Sequence, residues 1–309
     1  MRHIPPPADP LSHQSKAPNL DRNSRFLPAG WQSVGECAIR LGVYFFQEPL
    51  VDYIVEVFKS HQFNDPAEGD RFFGLFGPGN TTVVPDRPFE RFRDYEDLLF
   101  RLQQADPDKY KTIHKGTPFG FLSWLAFDLR NYEKALFYLD AGISEDVRKA
   151  NPPESWINNP GPRVLLLDVD PNNVWFRRTV LEWKRILQRE LMRFNAISGG
   201  PALDLSGSWQ SFLRKLTEDS NNRTIISATY VFLLEFEDRW QELRLRAGSR
   251  GGSTQPFTVH LFTGGLLFES LLKYCYPLND SGDKNRKLEG IWRHTSSFQR
   301  DFSLGDEVR

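Results

Sequence analysis

Apolar side chains recur at the three-and-four spacing of an α-helix in several separate stretches of this chain, and nowhere is there a series of alternating strands. The stretches include Ile39, Val43, Phe46, Leu50, Ile54 and Val57, and later Ile225, Tyr230, Phe232, Phe236, Trp240 and Leu243. That period places the apolar groups on one helix face, which must then be buried against another helix. A mainly α fold follows, read as an irregular helical-hairpin array followed by a bundle of long helices. With 309 residues the chain is long enough for about two domains and a large core.

Punctuation divides the chain. The first thirty residues repeat proline without an apolar run and read as a loose tail, neither a signal peptide nor an anchor. Residues 31–160 read as a helical domain interrupted by a long loop at 64–92, rich in Gly, Pro, Asp and Asn, with at most a short strand near Phe72 to Phe76. Pro49 should kink or split the first helix. Asp94 is expected to cap YEDLLFRLQQ, and Asp106 followed by Pro107 to start the next helix. Residues 161–309 read as the long-helix bundle. Asp170 and Pro171 should open a helix that runs to Gly199 and Gly200. A second helix is expected from about Thr224 to Arg246, apolar on more than one face and therefore central. Its partner should run from Pro256 to about Tyr276. Gly264 and Gly265 in mid-helix cost about 1 kcal/mol each relative to Ala. A close backbone approach, where the two helices cross, would explain them.

In GFLSWLAFDLRNYEKALFYLDAGI one helix should run to about Leu129, turn at Arg130 and Asn131, and restart with Tyr132, Ala135, Leu136, Leu139 and Ile143 along one face. Leu122, Ser123, Asn131 to Ala135, Leu139 and Gly142 give residues 117–143 the look of a tetratricopeptide repeat, with Gly142 where that family usually has Ala. A half-echo lies at Tyr95 to Leu102. About three repeats are needed for a stable array, so the resemblance implies a hairpin of this style inside a larger helical domain, and a protein-binding role. The helices SATYVFLLEFEDRWQELRLRAGS and PFTVHLFTGGLLFESLLKYCYP, around residues 223–276, resemble the first half of a bacterial HEPN-type bundle, a class that includes defence and toxin ribonucleases. Those enzymes need an Arg followed after about four to six residues by a His, and no Arg here stands so. The resemblance implies that a catalytic half would lie beyond Arg309. Ser303 to Glu307 also reads as a helix start with only two residues after it, so the chain is expected to be a fragment.

Chemical motifs are incomplete. GLFGPGNTT has P-loop spacing from Gly74 to Thr81, but Asn80 replaces the lysine that partners the terminal phosphates. Asp168 and Asp170 in VLLLDVDP resemble the magnesium motif of haloacid-dehalogenase-type phosphatases, yet Pro171-Asn172 replaces the Gly-Thr, and capping already accounts for Asp170. None of the six His pairs with another His or Cys at metal-ligand spacing, so neither metal nor cofactor is expected. Two Cys, Cys37 and Cys275, sit in apolar segments and read as small buried hydrophobes of a reducing cytoplasm. Lys and Arg number 39 against 40 Asp and Glu, which removes the whole-molecule field of polyanion binders.

Binding candidates are therefore local. Arg87, Phe89, Arg91, Phe92 and Arg93 interleave guanidinium and aromatic groups, the mixture that single-stranded nucleic acid favours. Arg244 and Arg246 gather with Arg239 and Arg250 toward a helix end, where cations also complement the dipole. His260 reads as a hydrogen-bonded core or groove residue. An aromatic fraction of 14% means either broad helix contacts or a wide apolar groove. The function expected is that of a non-enzymatic helical scaffold recognising another macromolecule in a defence or toxin-type system, a protein first and RNA second; the alternative is the regulatory part of a HEPN-type ribonuclease effector whose catalytic motif lies beyond Arg309, and in either case no membrane span is expected and the oligomeric state is left open.

Overall fold

The structure, a computed structural model, describes residues 48–64, 66–74, 87–168, 176–198, 202–204, 220–246 and 255–275. Every regular element among them is helical: α1 (Glu48–Ser60), α2 (Pro66–Gly74), α3 (Pro88–Ala105), α4 (Pro107–Thr112), α5 (Gly116–Asp128), α6 (Tyr132–Lys149), a 3-10 turn (Pro153–Asn158), α7 (Pro160–Leu165), α8 (Arg177–Ser198), α9 (Ser220–Arg246) and α10 (Gln255–Cys275). The protein is mainly α. It divides into two compact units, Met1–Pro118 and Phe119–Arg309.

In the first unit α1 packs on α3. Val51, Ile54 and Phe58 are buried, as are Leu98, Leu99 and Leu102. Phe58, Phe63 and Phe72 form an aromatic cluster with ring centroids 5.5 to 6.0 Å apart. Lys109 of α4 donates to the carbonyls of Phe58 (2.9 Å) and Lys59 (2.5 Å), placing a cation on the last turn of α1 where carbonyls lack intrahelical partners.

Two expectations fail here. The proposed loop at 64–92 contains the whole of α2 and the start of α3, and no strand forms at Phe72 or Phe73. Gly69 and Gly74 suggested a loop, but Gly69 is needed inside the helix. A Cβ there would lie 2.8 Å from Ile113 Cγ1 and 3.0 Å from the His114 carbonyl oxygen, so the chain at 113–114 presses directly on the helix backbone. Asp94 does not cap α3. That helix begins six residues earlier, behind Arg87 in the left-handed region (φ 54°) and with proline in its first turn. Asp106 does cap α4, accepting from the Lys109 amide at 2.9 Å.

The second unit opens on the helical hairpin α5–α6. α5 ends at Asp128, Arg130 takes φ 55°, and the Asn131 side chain caps α6 by accepting from the Lys134 amide. Ser123 Oγ donates to the Ala135 carbonyl at 2.7 Å, and the Phe119 ring stacks on Tyr138. Both pairs have nearly the same residue-number sum, which fixes the helices as antiparallel. Ala135, Leu136, Leu139, Gly142 and Ile143 form the buried face.

α9 is the hub, in contact with α6, α8 and α10. Tyr230 is buried and donates to the Leu165 carbonyl at 2.7 Å. Arg223, 3% exposed, bonds Asp140 Oδ1 at 2.6 Å and Ser144 Oγ at 3.0 Å. Arg189 pairs with Glu237, joining α8 to α9. The run Val164–Leu165 is helical and Leu167 takes φ 55°, so the segment before Asp168 is no strand, and the Asp168 carboxylate pairs with Arg163 at 2.7 Å. α8 begins at Arg177; its proposed cap, Asp170-Pro171, lies outside the described residues. So do Cys37, residues 75–82 of GLFGPGNTT, Arg250 and the end of the chain from Tyr276. Cys275 is exposed, not buried, because it ends α10. Among the described residues no helix is long and apolar enough to cross a membrane.

Candidate functional site: the two faces of α10

From Gln255 to Phe268 the sequence of α10 contains no Asp, Glu, Lys or Arg. Apolar groups consequently surround the helix, and the described residues of the fold cover one side of it. Phe257, His260 and Gly264 follow each other at spacings of three and four and meet α9. The Phe257 ring lies 6.2 Å from Phe236, and His260 stacks on Phe232 at 4.2 Å with the rings 3° from parallel. A Cβ on Gly264 would come within 2.7 Å of the Phe232 ring, so the two helices do meet closely at this glycine. The neighbour is an aromatic ring, not the backbone the sequence suggested.

Among the described residues, Gly265 has nothing within 4 Å of where its Cβ would stand. The adjacent glycines therefore behave differently. Gly264→Leu is expected to destabilise the second unit by about 1 to 3 kcal/mol through overpacking against Phe232, whereas Gly265→Ala should stabilise it by about 1 kcal/mol through helix propensity alone. Urea titrations of the two variants would show it; loss of stability in both would contradict the assignment of faces.

His260 is 1% exposed, and its Nε2 has no hydrogen-bond partner among the described residues, unlike the hydrogen-bonded histidine expected. Burial, and then the Arg239 cation, hold its imidazolium below the ordinary value of 6.5. Glu235 Oε2 stands 4.0 Å from Nδ1 but is already bonded by Arg239 at 2.9 Å. A group whose folded pKa is depressed binds fewer protons folded than unfolded as the pH falls through 6.5. Its contribution is complete above that value and lost on acidification. Between about pH 7.5 and 5.5 the native chain should lose more stability than His260→Phe, which cannot titrate; equal losses would remove His260 as the source.

On the outward face Val259, Leu261, Phe262, Leu266 and Phe268 are each more than half exposed, Phe262 at 70%. At 100° per residue Gly265 lies between the Leu261–Phe268 stripe and the Phe262–Leu266 stripe. Glu269 and Lys273 pair with each other at 2.5 Å and close the C-terminal end. An exposed apolar surface of this density on a helix is a mark of docking.

The basic and aromatic candidates are not brought together in this way. In α3, Phe89 and Arg93 are exposed while Arg91 and Phe92 turn inward and are buried, so the alternation read along the sequence is split between two faces. Arg87 is exposed at the helix start. Arg244 is exposed near the end of α9 and Arg246 is its last residue. Phe89, Arg91, Phe92 and Arg93 thus form no continuous stacking platform.

One polar cluster had no sequence signal because its members are 44 residues apart. His114 Nδ1 and Asp70 Oδ1 are 2.7 Å apart, and Thr117 Oγ1 donates to the same oxygen at 3.2 Å. The carboxylate, not the imidazole, sits in the middle. A nucleophile relay requires the reverse order, so the cluster fastens residues 114–117 to α2. Among the described residues no three His, Cys, Asp or Glu side chains gather as a metal site. No protein-family model matches the chain, and comparisons with curated proteins and with solved structures gave no match either.

Proposed function

We propose that this chain is a non-enzymatic helical scaffold that binds a protein partner through the outward face of α10. The observation that supports the reading is the row Val259, Leu261, Phe262, Leu266 and Phe268, exposed on a helix whose opposite face is already seated on α9. Large apolar side chains clustered in one exposed patch are the usual anchors of protein interfaces, and the absence of charge from Gln255 to Phe268 argues against a phosphate backbone as the ligand. An RNA partner, the alternative implied by the HEPN resemblance, would instead use the arginines around Arg87 and Arg244.

Capture from native extract tests this. Protein retained by the tagged chain should be lost with Phe262→Glu, persist after ribonuclease treatment, and persist with Arg93→Glu. Retention that survives Phe262→Glu but not ribonuclease or Arg93→Glu would overturn the proposal in favour of RNA.

A further inference from the structure

We infer that His260 is an acid-released latch: neutral, it seats α10 on α9, and protonated, it frees α10 while α6, α8 and α9 stay packed on one another. The inference concerns the seated face of α10 and does not rest on the docking reading. Three observations carry it. First, the seat depends on this side chain. α9 is the helix that α10 packs against. Among the described side chains of α10 the buried ones are His260 and Leu272, and Leu272 lies near the far end of the helix. Phe257 and Gly264, one on each side of His260, are partly exposed.

Second, the seat suits a neutral ring. The imidazole lies parallel to Phe232 at 4.2 Å and against Phe236 at 5.7 Å, so apolar faces stand where an imidazolium would need water. Nε2 has no acceptor among the described residues. The charged groups that face the ring there are Glu235 and Arg239, both of α9. The carboxylate is 4.0 Å from Nδ1, beyond hydrogen-bond reach, and is bonded by Arg239, whose cation opposes a second positive charge. α10 adds no charge of its own before Glu269.

Third, α9 is held elsewhere without α10. Arg223 bonds Asp140 and Ser144 of α6, Tyr230 bonds the Leu165 carbonyl, and Glu237 pairs with Arg189 of α8. No residue of α10 takes part in these bonds, so the seam can open as a local unit. Opening returns the ring to water and takes up one proton. The closed seam binds that proton more weakly than the open one, so the latch is complete above the ordinary imidazole value of 6.5 and weakens below it.

Hydrogen–deuterium exchange of the full chain at about pH 7.5 and about pH 5.5, corrected for the intrinsic pH dependence of amide exchange, tests the inference. Protection of the α10 amides around His260 should fall about tenfold on acidification, the effect of one linked proton over the pH unit below 6.5, while protection of α6 is unchanged. His260→Phe and His260→Gln, neither of which titrates in this range, should each abolish the fall, and circular dichroism confirms that the variants are folded. Unchanged α10 protection in the native chain, an equal loss in α6, or an equal fall in the non-titrating variants would overturn the latch. So would protection that rises in acid, the result if the Phe232 face or Glu235 held the imidazolium in place.

Discussion

Trp183→Ala is expected to lower the stability of the second unit by about 3 to 5 kcal/mol, the range for removing a large buried aromatic side chain with partial collapse of the cavity. Trp183 is 3% exposed and joins three helices. From α8 its ring meets Phe127 of α5 edge-on at 5.0 Å and Tyr230 of α9 at 4.7 Å, while Phe176 reaches Phe127 at 6.2 Å. Alanine would remove the ring contact on Tyr230 and leave Phe127 with that of Phe176. Trp240 provides the comparison, being 40% exposed and, among the described residues, stacked on Phe236. Its replacement by alanine should cost about 1 kcal/mol, the worth of one exposed aromatic pair. Urea unfolding followed by circular dichroism separates the two; equal small losses would mean that the aromatic cluster is not the core of this unit.

The second large effect is an asymmetry between two partners in one ion pair. Arg223 is nearly inaccessible and depends on Asp140 and Ser144 across the α6–α9 seam. Asp140→Leu would leave that guanidinium buried with its counter-charge gone. Removing one partner of a buried pair costs about 3 to 5 kcal/mol, here reduced to about 2 to 3 because the Asp140 side chain is one-third exposed. Arg223→Met keeps the buried methylene volume and leaves the carboxylate able to reach water. Its cost should be about 1 kcal/mol. Chemical denaturation of both variants and of the double mutant would measure the coupling, and equal costs for the two single changes would contradict the burial asymmetry.

The parts of this fold that could be read from the sequence are those whose signal is local. Asn131 and Asp106 are side-chain caps, and both helices start where they stand. The α9–α10 pair was legible because both stretches carry apolar residues at helical spacing over more than twenty residues, a length and period that suit a helix. α2 was missed although Asp65-Pro66 repeats the signal at Asp106-Pro107. Two glycines and three acids in ten residues outweighed it, and what makes Gly69 useful is a contact with residues 113 and 114. The start of α3 was hidden for another reason. Arg87 uses a left-handed backbone and no side-chain bond, so no residue type marks it. At the candidate site, close packing at Gly264 was legible, but its separation from Gly265 required knowing which side of α10 faces α9. The basic and aromatic residues after Arg87 misled because a sequence displays neighbours side by side, whereas a helix turns them 100° apart.

The account stands on the claim that the outward face of α10 is surface and not core. Comparing the urea unfolding of Phe262→Glu with that of Phe232→Ala measures this most directly. Phe262→Glu should change unfolding free energy by no more than about 0.5 kcal/mol, as at other exposed positions. Phe232→Ala, which removes the ring packed on His260 and Gly264, should cost about 2 kcal/mol or more. A Phe262→Glu variant as destabilised as Phe232→Ala would place that face in the interior and contradict the docking surface.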